Sequence, residues 1–173
     1  MGNMSEHFDK REFTCKCGKC NKADIVPELI AKLEELHNLM NAYSIIITSG
    51  FRCPSWSQSL KGGFINDAHT KGIAADIKVY KSTGILYPSE LVAEAAERVG
   101  FSGIGIIDNS AVHVDIRNNN NYVNPHWFGD ERTGNDNIQT FQKGTQFVSR
   151  ETKTEHTLEI ILDGKTILKE VIK

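Results

Sequence analysis

Asp67-Ala68-His69-Thr70-Lys71-Gly72-Ile73-Ala74-Ala75-Asp76 puts a histidine, a glycine and an aspartate where a loop passes into a strand. Residues 53–72 are rich in Gly, Ser, Asn and Asp, with Pro54 near their start, and predict a long ordered loop holding one helical turn. A loop of that length in a small domain is usually functional. His69 ends the loop, Gly72 permits a tight turn, and Ala74 to Tyr80 alternates as a strand that carries Asp76.

Downstream, Gly103-Ile104-Gly105-Ile106-Ile107 and Ala111 to Arg117 predict a β-hairpin turned by Asp108-Asn109-Ser110. The period of two puts Val112, Val114 and Ile116 on one face of the second strand and His113, Asp115 and Arg117 on the other. Such a face is a solvated sheet surface or a site. Histidine nitrogen and carboxylate oxygen are both ordinary zinc ligands, and two histidines with one carboxylate leave a fourth position open for water. His69, Asp76 and His113 are therefore the candidate metal ligands, although spacing alone does not bring them together.

Upstream, Pro27 opens a helix in which Leu29, Ile30, Leu33, Leu36, Leu39 and Met40 recur at three- and four-residue steps, so one face packs on a core. His37 within it reads as a packed or surface histidine. Ile45 to Thr48 predicts a buried strand ending at Ser49-Gly50, and Pro88 to Val99 a second helix stopped by Gly100. Residues 118–145 read as loop. The end, Thr157 to Leu162, Asp163-Gly164 and Lys165 to Val171, is a strong hairpin signal. The expected division is a domain over 1–145, with a cysteine-rich knuckle at 13–22, and a C-terminal hairpin extension over 146–173.

Cys15, Cys17 and Cys20 crowd into Thr14-Cys15-Lys16-Cys17-Gly18-Lys19-Cys20, and Cys53 lies far downstream. Three readings fit this spacing: a structural zinc site, a disulfide, or a reduced, partly exposed knuckle. No catalytic role is assigned to these thiols.

The length of 173 residues suits one domain with a short appendage. Hydrophobic residues at 39% and charged residues at 24% argue against wholesale disorder. With 20 Lys+Arg against 22 Asp+Glu, there is no electrostatic case for nucleic acid or an anionic membrane as the main partner. No run approaches the ~18 apolar residues of a membrane span. Met1-Gly2-Asn3-Met4-Ser5-Glu6-His7 shows no secretory signal, so synthesis in the cytoplasm is expected.

Five motifs fall in order: Ser49-Gly50-Phe51-Arg52, Asp67 to Asp76, Gly103-Ile104-Gly105, His113-Val114-Asp115, and Trp127. In this order they resemble the zinc D-alanyl-D-alanine carboxypeptidase family, most closely its compact phage and bacterial cell-wall branch, over about residues 8–130. The resemblance implies an α+β, Hedgehog/DD-peptidase-like fold: a small antiparallel sheet with flanking helices, and zinc bound by His69, Asp76 and His113. It implies hydrolysis of bacterial peptidoglycan stem peptides at or near D-amino acids, in the manner of a phage endolysin that reaches the wall after release. Arg52 resembles the family's substrate arginine, suited to a terminal carboxylate or a developing oxyanion. Asp115 is the candidate general base and Asp108 the reserve, with Asp115 alternatively orienting a ligand or balancing Arg117.

The chain departs from the family pattern at three places. Asp67 replaces the serine of S-x-H. Ser57 or Gln58 would fill a polar substrate-contact position. Ser110 stands where many relatives carry an acid. Trp127 and Phe128 are expected at the rim of the site, and His126 has no assigned role. The rival readings are a non-catalytic wall- or peptide-binding module that keeps the metal for stability, and a structural phage component.

Overall fold

The computed structural model describes residues 2–117 and 125–147 and, further on, the backbone strands at 156–162 and 165–172. A 3-10 helix, Lys10–Phe13, is capped by Asp9 and Glu12 in a reciprocal capping box. Then follow α1 (Pro27–Leu39), β1 (Ser44–Ser49), α2 (Pro54–Ser59), β2 (Ala74–Ser82), β3 (Ile85–Leu86), α3 (Ser89–Val99), β4 (Gly103–Ile106), β5 (Val112–Asp115) and β6 (Trp127–Asp130). The hairpin strands are β7 (His156–Leu162) and β8 (Lys165–Ile172), which pair antiparallel as a separate two-stranded sheet.

The larger sheet runs β1-β2-β5-β4-β6, with β3 added to β2. It is antiparallel except at one edge, where β6 runs parallel to β4. This corrects two expectations: the sheet is mixed, and a strand lies inside the 118–145 stretch that reads as loop.

Helices α1 and α3 form because their apolar positions recur at helical spacing. In α1, Pro27 sits at the first turn, and Leu29, Ile30, Leu33 and Leu36 are buried. In α3, Val92, Ala93, Ala95 and Ala96 form a small-residue face that lies close to its neighbours. Gly100 ends α3 at φ +92°, and Lys32 Nζ of α1 donates to the Val99 carbonyl at 2.6 Å, satisfying an orphan acceptor of the last turn.

The helices cover one face of the sheet, where Ile77, Val79, Ile104, Ile106, Val112 and Val114 are all at most 1% exposed. Burying side chains of this size is worth about 1.5–3 kcal/mol each. The alternate residues of the same strands point away from that core. Asp76 lies directly opposite His113, Gly105 lies on the far side of His113, and Gly103 lies opposite Asp115. The site face thus falls out of the strand period and the register together.

Among the described residues, no helix is long and apolar enough to cross a membrane.

Candidate metal centre

His69 reaches the site from the turn before β2. Asp67 holds that turn: its Oδ1 accepts from Thr70 N at 2.9 Å, and its Oδ2 accepts from Ser57 Oγ. The residue that departs from the family's serine is therefore the clamp of the loop. Gly72 closes the turn at φ +69°, and a Cβ there would strike the Asp24 carbonyl, so only glycine fits. Asp76 comes from β2 and His113 from β5, paired across the ladder.

Three donor atoms converge. His69 Nε2 lies 3.2 Å from His113 Nδ1 and 3.3 Å from Asp76 Oδ1, and His113 Nδ1 lies 2.9 Å from Asp76 Oδ1. A tetrahedral zinc with bonds of ~2.0–2.1 Å has ligand-to-ligand edges of ~3.3–3.4 Å, so the triangle has the size zinc needs.

Each ligand is also oriented from behind. His69 Nδ1 donates to the Gly50 carbonyl at 2.8 Å, which leaves a lone pair on Nε2. Asp76 Oδ2 accepts from Arg52 Nη2 at 2.5 Å, which turns Oδ1 to the focus. His113 Nε2 lies 3.0 Å from Asp115 Oδ2, which turns Nδ1 to the focus. Supported donors of this kind fit a divalent cation.

The electrostatics follow from the same contacts. Burial works against a charged Asp76, but the His69 and His113 imidazoles outweigh it and hold the carboxyl far below the usual range. Asp115 is likewise held far below that range: burial opposes its charge, while His113 and Arg117 favour it. Burial alone would depress His113, yet its bonds to Asp115 and Asp76 raise it to about 9.

The three donors open onto a cavity of about 650 Å3 that is also lined by Arg52, Arg117 and Trp127. Trp127 stands edge-on to His113, ring centroids 6.0 Å apart, and the Arg117 guanidinium lies 5.3 Å from the indole centroid. Phe128, expected at the rim, instead turns to the core and packs on Phe141. The rim position falls to Trp127 alone because adjacent strand residues point to opposite faces. Of the two polar candidates on the long loop, Ser57 is buried against Asp67, and exposed Gln58 is absent from the cavity lining.

The two carboxylates expected as general base are both engaged by other partners. Asp115 is 0% exposed, grips Arg117 through both oxygens, and touches His113 on the ring edge turned away from the focus. Asp108 caps its own turn, accepting from Ser110 N at 2.6 Å and Ala111 N at 2.8 Å. Exposed Glu131 and Asp136 do line the cavity, and sequence reasoning missed both. Their only sequence signal is position, just beyond the tryptophan of the last motif.

Residues 6–115, well over half of the chain, match the profile of the peptidase M15 family. The chain belongs to that family. Peptidase M15 proteins are zinc-dependent, so this chain is a metallopeptidase by membership, and its His69, Asp76 and His113 form a possible metal site. The matched span ends at Asp115, so Arg117, Trp127, Glu131 and Asp136 lie beyond it. No curated protein and no solved structure matches the chain.

Proposed function

We propose that the protein hydrolyses peptide bonds of bacterial cell-wall peptidoglycan at or near D-amino acids, as a D-alanyl-D-alanine carboxypeptidase-like peptidase of the endolysin kind. The observation that carries this reading is the triangle of His69 Nε2, Asp76 Oδ1 and His113 Nδ1, sized for zinc and facing a cavity of about 650 Å3. Those three residues are the proposed metal ligands. When bound, zinc would polarise a carbonyl and lower the pKa of a water to about 7.

The chain's own groups take the remaining roles. Arg52 holds Asp76 with one nitrogen and has further donors for a substrate carboxylate or carbonyl oxygen. Trp127 walls the cavity beside His113. Asp115 takes the alternative part read from the sequence, orienting His113 and pairing with Arg117, because its buried carboxylate faces the wrong edge of the ring to receive a proton from the substrate side. Proton transfer passes to Glu131 and Asp136, exposed carboxylates on the cavity wall. The unit that does this runs through Phe147. Thr145 N and Oγ1 donate to Glu94 at 2.9 and 2.6 Å, and Arg98 lies over the Phe147 ring, so α3 still holds the chain past residue 145. The hairpin of β7 and β8 is an appendage to it.

The test is release of free amine from purified peptidoglycan peptides, before and after chelation. Hydrolysis that stops on chelation, returns with zinc and is absent in His69→Ala is the expected result. Cleavage by His69→Ala at the parent rate refutes the metal mechanism. A zinc-loaded protein that binds wall peptides without releasing amine establishes the rival reading of a binding module.

A further inference from the structure

The sequence brings three cysteines into a short N-terminal run and leaves the fourth more than thirty residues away, and the fold reunites them. Gly18 at φ +70° and Asn21 at φ +48° reverse the chain so that Cys17 and Cys20 point to one spot. Cys53 joins them from the residue that precedes α2. All four Sγ atoms lie within 4.8 Å of one another, with Cys17 and Cys20 sulfurs 3.5 Å apart. That separation is far beyond the ~2.05 Å of a disulfide and close to the ~3.8 Å edge of a tetrahedron built on ~2.3 Å zinc–sulfur bonds. All four cysteines are free thiols.

The sulfurs are also supplied with backbone donors. Lys19 N and Cys20 N each approach Cys17 Sγ at 3.3 Å, and Cys53 N approaches Cys15 Sγ at 3.3 Å. Such bonds favour the thiolate, the form that binds metal.

We propose that Cys15, Cys17, Cys20 and Cys53 hold a zinc ion of their own, in a closed four-thiolate site that is structural and separate from the site in the cavity. Four thiolates fill the coordination shell and leave no position for a substrate or water. None of the four cysteines lines the cavity.

What the ion would fasten is the loop between β1 and α2. Cys15 N donates to the Lys22 carbonyl at 2.7 Å, closing the knuckle, and Phe51 N donates to the Phe13 carbonyl at 3.0 Å, docking the N-terminal segment on the loop. That loop carries the Gly50 carbonyl that orients His69 and the Arg52 that orients Asp76. A zinc bridge from the knuckle to Cys53 ties the loop down one residue from Arg52 and three from Gly50. It also welds a segment remote in sequence to the domain, which is what structural zinc does in small folds.

The experiment uses the full chain, purified with thiols reduced and zinc supplied, and measures metal content together with the spectrum of the cobalt-substituted protein. Two zinc ions per chain are expected, and the cobalt form should show the intense sulfur-to-cobalt charge-transfer bands of a tetrahedral thiolate site. His69→Ala should lose one equivalent and keep those bands, whereas Cys20→Ser should lose the bands and one equivalent. Native protein should also resist alkylation by iodoacetamide until a chelator is added, a readout that requires no variant to fold. One metal per chain without charge-transfer bands, immediate alkylation of all four thiols, or a Cys17–Cys20 disulfide recovered from the reduced, zinc-supplied protein overturns the proposal. Thiolate bands without hydrolytic activity would defeat the peptidase reading and leave this site standing.

Discussion

Both ring nitrogens of His113 are engaged, and in different directions: Nδ1 by Asp76 at 2.9 Å and Nε2 by Asp115 at 3.0 Å. In the metal-free protein this makes the ring an imidazolium with a pKa near 9, raised from an ordinary value of 6.5. The sign of the pH dependence follows. A raised folded pKa contributes stability that is fully present below pH 6.5 and lost as pH climbs through 9. Asp76 and Asp115, held low, contribute stability present above the ordinary carboxylate pKa of about 4 and lost on acidification. The melting temperature of chelated protein should therefore fall between pH 7 and 9, and a rise over that interval would contradict the assignment. Zinc displaces the His113 proton, so its apparent affinity should climb about tenfold per pH unit until that proton is gone.

The two kinds of carboxylate at the site separate by variant. Asp115→Asn should weaken zinc binding by about 10–100-fold, as loss of a ligand's orienting partner does. The double change Glu131→Gln with Asp136→Asn should leave zinc bound and lower turnover by about 10^2–10^4-fold. Metal titration and turnover, measured on both proteins, check the contrast. Full turnover in the double variant removes those two acids from the mechanism. The alternation of 112–117 made the shared face of His113 and Asp115 legible in the sequence. Which edge of the imidazole Asp115 would meet was not legible, because a strand period fixes a face and leaves the ring's rotation free.

At the level of elements, two glycines of β4 shape the site. A Cβ on Gly103 would run into the Asp115 carboxylate opposite it, and a Cβ on Gly105 would come within 2.7–2.8 Å of the Trp127 ring. The G-x-G pattern thus reserves space for the group that orients His113 and for the indole that walls the cavity. Gly103→Ala should destabilise the protein by about 1–3 kcal/mol and weaken metal binding, because Asp115 is pinned by Arg117 and cannot step aside. Denaturant unfolding and metal titration measure both effects, and a neutral outcome would mean that the sheet opens at β4. The helices and central strands were legible because their apolar residues recur at the local period: Leu29, Leu33 and Leu36 in one case, Val112 and Val114 in the other. The strand β6 was not. Its short run contains Gly129, and its parallel pairing with β4 is a non-local choice that no local pattern announces.

Across the whole molecule, the two cysteine- and histidine-centred clusters share one support. The loop from Gly50 to Cys53 gives His69 its hydrogen-bond acceptor, Asp76 its arginine and the knuckle its fourth sulfur. A chain read from its ends inward shows the cysteines only as a spacing; the closure of β1 onto the N-terminal segment is what makes them a cluster. Glu131 and Asp136 were hidden for the same reason, since acids in a polar loop look like solvated surface until β6 brings them to the cavity. Everything proposed for the cavity requires that His69, Asp76 and His113 share one zinc ion. Anomalous difference density at the zinc edge, from crystals of the zinc-loaded full chain, tests it most directly. A peak bonded to His69 Nε2, Asp76 Oδ1 and His113 Nδ1 is expected; a map with no density there, whatever appears at the cysteines, would rule the shared ion out.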